Sequence, residues 1–95
     1  MGKITKLIDI VRNLDCFDEL QTIYALEPWT AESTAIVAME PDAGYPTQAL
    51  QLSLKYFLEV SVAKEFLNDW IDSLEERPTI EEQCAVVIHY AINDA

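Results

Sequence analysis

Residues 22–42 read TIYALEPWTAESTAIVAMEPD and contain two short apolar runs, each followed by a Glu-Pro pair. Residues 22–26 are rich in β-branched and aromatic side chains, and residues 35–39 are apolar throughout, so both runs predict strands. Because proline lacks a backbone N–H and restricts the residue before it, Pro28 and Pro41 are expected to end these strands. The stretch therefore predicts a β-hairpin with a short loop.

A third strand is predicted on the C-terminal side of the hairpin. Residues 41–46, PDAGYP, have the composition of a loop. Apolar and polar residues then alternate, which predicts a strand within residues 52–60, with Phe57 as the one member out of step. The beginning of this region, around Ala49, is alternatively helical because its residues are good helix formers.

Helical spacing of apolar residues predicts a first helix over residues 4–14, with Ile4 on its apolar stripe. A second helix is predicted over residues 62–74, with Ser61 as its N-cap and Trp70 on its buried face.

A last helix is predicted over residues 80–92. Thr79 and Glu82 have the spacing of a capping box, and Cys84 falls at a buried position of the stripe that follows. The β-branched run AVVIHY is the alternative, a strand, but the cap and the spacing together favour the helix. The expected fold is α+β in the order α-β-β-β-α-α. It has a three-stranded antiparallel sheet, an N-terminal helix and two C-terminal helices, in a single domain spanning residues 1–95.

Negative charge dominates the composition. Seventeen acidic residues oppose six basic ones, for a net charge of −11. Residues 1–14 carry +2 and residues 15–95 carry −13. Such a chain repels nucleic acids and anionic membranes and would attract basic proteins, so we expect no nucleic acid and no membrane as partners. The simpler interpretation is that the charge only maintains solubility.

Two cysteines, Cys16 and Cys84, are too few for a disulfide scaffold. Together with the absence of a signal-peptide pattern, they lead us to expect a cytoplasmic protein with reduced thiols, although a Cys16–Cys84 disulfide stays open. His89 is the one histidine and should lie on the opposite side of its helix from Cys84, so no catalytic pair is expected. No motif for a metal or a cofactor is present, and we expect neither.

Five residues in the predicted loops are candidates for binding. Trp29 and Tyr45 either cover the core as lids or serve as anchors at an interface, where aromatic residues often dominate the energy. Glu32, Glu40 and Asp42 lie in or beside the same loops. If both loops met at one edge of the sheet, the five residues would form an acidic aromatic rim.

Four segments resemble a family of small bacterial domains of unknown function: EPWT at 27–30, PD at 41–42, YFLEV at 56–60 and the terminal YAINDA at 90–95. This resemblance implies no catalytic residues. In charge and size the chain is also similar to acidic immunity proteins that neutralise toxins. We therefore expect a non-catalytic acidic protein-binding module, of the immunity or inhibitor type, that docks a basic partner. The alternatives are a structural or homo-oligomeric domain and, least favoured, a small hydrolase.

Overall fold

The structure, a computed structural model, describes residues 3–93. Within them the fold is α+β, with helices packed on an antiparallel sheet in the strand order β1-β3-β2-β4. The strands are β1 (Thr5–Lys6), β2 (Gln21–Ala25), β3 (Thr34–Met39) and β4 (Lys55–Glu59); the helices are α1 (Leu7–Arg12), α2 (Thr47–Gln51), α3 (Val60–Asp72) and α4 (Ile80–Asn93). The hairpin, the loop at 41–46 and the last helix are confirmed.

The sheet has four strands in the described residues, so the prediction of three is wrong. Thr5 and Lys6 fall within the predicted first helix, but they pair with Ala35 and Thr34 of β3. They satisfy backbone groups on the outer edge of β3 that would otherwise lack partners. The helix begins only at Leu7, and Ile4, expected on its apolar face, is 55% exposed.

β4 lies within the predicted region 52–60, so the third predicted strand is confirmed. Residues 47–51 before it form α2, as the alternative interpretation had it. The pairing of β4 with β2 shifts register: Ile23 faces Leu58, whereas Tyr24 faces Tyr56. Phe57 is left without a partner at this bulge, which explains why it broke the alternation in the sequence. The bulge allows Phe57 and Leu58, adjacent in the chain, to enter the same core.

α3 begins at Val60, immediately after β4, so the prediction of Ser61 as N-cap is wrong. Glu59 takes that position and makes no side-chain cap hydrogen bond. β4 ends at Glu59 and α3 begins at the next residue, Val60, which is buried in the main core, so no residue stands between the two elements to serve as a cap. The capping box of α4 is confirmed: Thr79 N donates to Glu82 Oε1 at 2.9 Å, and Glu82 N donates to Thr79 Oγ1 at 3.2 Å.

The two faces of the sheet bury different clusters. The main core lies between the sheet and helices α1, α3 and α4, and includes the buried Cys84 with half-buried Trp70 packed against it. A smaller cluster on the opposite face contains Tyr24, Ile36, Ala49 and Leu54. The second face is therefore covered by α2 and the segments beside it. Among residues 3–93, no helix has the length and apolar content that a bilayer crossing requires.

Candidate binding surfaces

Trp29 is used inside the fold. Its side chain is half-buried, and the indole Nε1 donates to the carbonyl oxygen of Ala25 at 3.1 Å. The ring packs edge to face against Phe57, with centroids 4.9 Å apart. These contacts fit the interpretation of Trp29 as a lid over the core. One side of the residue also borders a shallow groove beside Pro28 and the exposed Ile92.

The loop around Trp29 is ordered by its own hydrogen bonds. Thr30 N donates to Ser33 Oγ at 2.8 Å, and Ser33 Oγ donates to the Pro28 carbonyl at 3.2 Å. Glu32 is exposed and pairs with Lys6, with Nζ and Oε2 2.7 Å apart. Its hydrogen bond and charge raise the pKa of Lys6. Glu32 is thus already engaged with a cation of the same chain.

Tyr45 covers the second face of the sheet. Its hydroxyl accepts a hydrogen bond from Tyr56 N at 3.3 Å, and its ring meets Tyr24 edge to face at 5.7 Å. Lys55 Nζ lies 6.0 Å from the Tyr45 ring centroid. The half-buried Tyr45 therefore closes the smaller cluster around Tyr24.

The topology separates the five candidate residues. β2 and β3 pair from Ala25–Ala35 at one end to Gln21–Met39 at the other. Trp29 and Glu32 lie in the loop at the first end. Glu40 and Asp42 are exposed and follow Met39 at the second end. Glu40 and Asp42 thus follow β3 at the opposite end from the loop that holds Trp29 and Glu32, so the five residues do not form one acidic aromatic rim.

A groove between α3 and α4 was not identified in the sequence. It has a volume of about 290 Å³, is open to solvent, and is lined by Val62, Glu65, Phe66, Asp69 and Tyr90. Its four α3 residues recur at helical spacing along the boundary between the apolar stripe and the acidic face of the helix. That spacing is the sequence signal that could have indicated the groove. The participation of Tyr90 depends on how α4 packs, which the spacing on α3 does not show.

Most carboxylates in residues 3–93 have no basic partner. The ion pairs there are Lys6 with Glu32 and Arg12 with Asp9. Lys64 is engaged differently, donating from Nζ to the Phe17 carbonyl at 3.0 Å. The longest run of unpaired, exposed acids follows the outside of α3 and the turn after it: Glu65, Asp69, Asp72, Glu75 and Glu76.

The two cysteines and the histidine differ in their exposure to solvent. Cys16 is exposed and Cys84 is fully buried, and both are free, which answers the open question of a disulfide. Burial raises the pKa of Cys84 to about 11. His89 is exposed. Within residues 3–93, no three His, Cys, Asp or Glu side chains are placed to hold one metal ion.

Comparison with family models, curated proteins and solved structures found no match for this chain. The likeness to small bacterial domains and to immunity proteins therefore stays a hypothesis. Of the segments that carry it, residues 94 and 95 at the end of YAINDA lie outside the described residues.

Proposed function

We propose that this chain is a non-catalytic acidic protein-binding module, of the immunity or inhibitor type, that docks a basic protein partner. The observation that carries the proposal is the row of exposed, unpaired carboxylates along α3 and the following turn. Like charges held close together repel each other and are stabilised when a positively charged surface approaches. The net charge of −11 adds long-range attraction of such a partner.

The ion pairs favour this proposal over self-association through the N-terminal segment. A homo-oligomer of that kind would use the cations near the N-terminus to meet the acidic body of another copy. Lys6 and Arg12, two of those cations, are already paired with Glu32 and Asp9 of their own chain. Each pair offsets the positive charge of its cation, which leaves less of that charge to attract a second copy.

The test is affinity capture from the native host with the full chain immobilised, followed by reconstitution with the purified captured protein. We expect a basic protein that forms a stoichiometric complex, with an association rate that falls steeply between about 0.02 M and about 0.5 M salt. Light scattering of the chain alone serves as the control, because charge-driven self-association would also weaken with salt. A captured partner without excess basic charge, or a complex indifferent to salt, would refute the proposal.

A further inference from the structure

The groove between α3 and α4 combines an aromatic wall with an acidic rim. Phe66 and Tyr90 are stacked, with ring centroids 4.3 Å apart and an interplanar angle of 22°. Both rings are half-buried and line the groove, so part of their surface faces the solvent. Val62 completes the apolar part of the lining.

Glu65 and Asp69 form the acidic part of the lining. They are one helical turn apart on α3, so both carboxylates lie on the same side of the groove. Neither forms an ion pair within residues 3–93. Lys64, the one basic residue of α3, projects away from the groove, because its Nζ is bonded to the Phe17 carbonyl. The position of α3 that follows next in this row is Asp72, another exposed acid.

We propose that this groove is the docking site for an arginine side chain of the basic partner. The inference rests on the proposed function and specifies its contact surface. The planar guanidinium stacks on the Tyr90–Phe66 wall while its N–H groups donate to Glu65 and Asp69. The charge complementarity is specific in sign, because an anion would meet the two carboxylates of Glu65 and Asp69.

The same geometry selects arginine over lysine. A guanidinium is flat, weakly hydrated and carries several N–H donors in one plane, so it can stack and donate to two carboxylates together. An ammonium group is compact and strongly hydrated, and it gains less from an aromatic face. A purely apolar segment would leave both carboxylates desolvated without partners, which is unfavourable.

The experiment uses the full chain, isotope-labelled for NMR, and three capped pentapeptides that differ only in two side chains: arginine, lysine or citrulline. Citrulline retains the planar shape of arginine without its charge. We expect the arginine peptide to shift the resonances of Val62, Phe66 and Tyr90. It should bind at least about threefold more tightly than the lysine peptide, and the citrulline peptide should not bind.

Matched variants separate the groove from general electrostatics. The double variant E65Q/D69N should weaken arginine-peptide binding by about fivefold or more. The control, D15N/E19Q, makes the same change in charge at exposed positions; Asp15 borders the opposite side of α3, near Asn68. Tyr90→Leu retains an apolar side chain without the ring and should weaken binding by about threefold.

The outcomes distinguish this inference from the proposed function. If both double variants weaken binding equally, or if arginine and lysine peptides bind alike, the groove is not an arginine site, although an acidic binding surface remains. If the basic peptides shift no groove resonance, the inference is likewise refuted. The proposed function itself fails separately, when capture from the host yields no basic partner.

Discussion

Trp29 and Phe57 meet edge to face, with ring centroids 4.9 Å apart and an interplanar angle of 85°. The contact joins the loop between β2 and β3 to the bulge residue of β4. Because β3 and β4 pair with opposite edges of β2, the contact links segments on both sides of that strand. Edge-to-face pairs place the positive edge of one ring against the negative face of the other and add to the gain from burial. The two features that stood out in the sequence, a tryptophan in a loop and a phenylalanine out of alternation, thus stabilise each other.

Trp29→Ala should lower the free energy of unfolding by about 2 kcal/mol, because it removes the contact with Phe57 and opens the main core. Trp29→Phe should cost about 1 kcal/mol, since it retains an aromatic ring but loses the hydrogen bond to Ala25. Urea denaturation followed by circular dichroism measures both. A loss below about 0.5 kcal/mol for Trp29→Ala would show that the ring is a surface feature and not a lid.

Thr79→Ala should destabilise the protein by about 1 kcal/mol, because its hydroxyl accepts the Glu82 N–H at the start of α4. The matched control is Thr47→Ala at the start of α2, where no side-chain cap hydrogen bond exists. Its effect should be much smaller. Equal losses in the two variants would show that the Thr79 hydroxyl contributes no capping stabilisation, because Thr47 has no such cap to lose.

The same capping box predicts a pH dependence. Hydrogen bonds from the Thr79 backbone and then its hydroxyl lower the pKa of Glu82 below its usual 4.5. The resulting stabilisation is fully present above that value and is lost as the pH falls through the lower pKa of the folded state. The difference in unfolding free energy between wild type and Glu82→Gln, measured from neutral pH to about pH 3, should therefore shrink with acid. A difference that stays constant with pH would contradict the hydrogen bonding of the Glu82 carboxylate in the capping box.

The elements that could be predicted from sequence are those specified by their own residues. In the hairpin, the apolar runs and the prolines that end them are close in sequence. In α4, the capping residues and the apolar stripe likewise lie within one segment. β1 was missed because Thr5 is assigned to a strand only by its partner Ala35, which is distant in the chain. A helical pattern in residues 4–14 gave no indication of that pairing.

The candidate binding residues failed to converge for a similar reason. Glu32 and Glu40 lie near each other in sequence, but β3 runs between them and carries them to opposite ends of the sheet. The groove on α3 depends on a contact with Tyr90, whose position follows from the packing of two helices. The sequence pattern predicted that these surfaces would be acidic, whereas the tertiary structure determined which side chains lie together on one surface.

The two thiols should differ sharply in reactivity. At about pH 8 only about one Cys84 thiol in a thousand is ionised, because burial raises its pKa to about 11. Cys16 is exposed and should react with a disulfide reagent at once, whereas Cys84 should react only after unfolding. The absorbance of the chromophore released from the reagent, recorded with and without denaturant, gives the number of reactive thiols. Cys16→Ser should abolish the fast phase of the reaction. Two fast thiols in the folded protein would contradict the burial of Cys84.

Tyr24→Phe should raise the free energy of unfolding by about 1 kcal/mol. The Tyr24 side chain is fully buried, and its hydroxyl makes no hydrogen bond of ordinary geometry, although the Thr22 hydroxyl lies beside it. Removing a buried polar atom without a partner relieves its desolvation cost. Tyr56→Phe is the matched control, and it should not stabilise, because the half-buried Tyr56 interacts with Glu59. A destabilised Tyr24→Phe variant would mean that the hydroxyl is satisfied.

Alkaline titration tests the same residue from the opposite direction. Burial, followed by the charge of Glu40, raises the pKa of Tyr24 above its usual 10.0. Because the folded pKa lies above the unfolded one, the stability of the protein is unaffected by this group below the unfolded pKa and falls as the pH rises from there through the folded pKa. Tyr24→Phe should therefore lose less stability than wild type as the pH rises above about 10, measured by denaturation at successive pH values. If both proteins lose stability in parallel, the Tyr24 hydroxyl ionises as freely in the folded state as in the unfolded chain, and its burial has no electrostatic consequence.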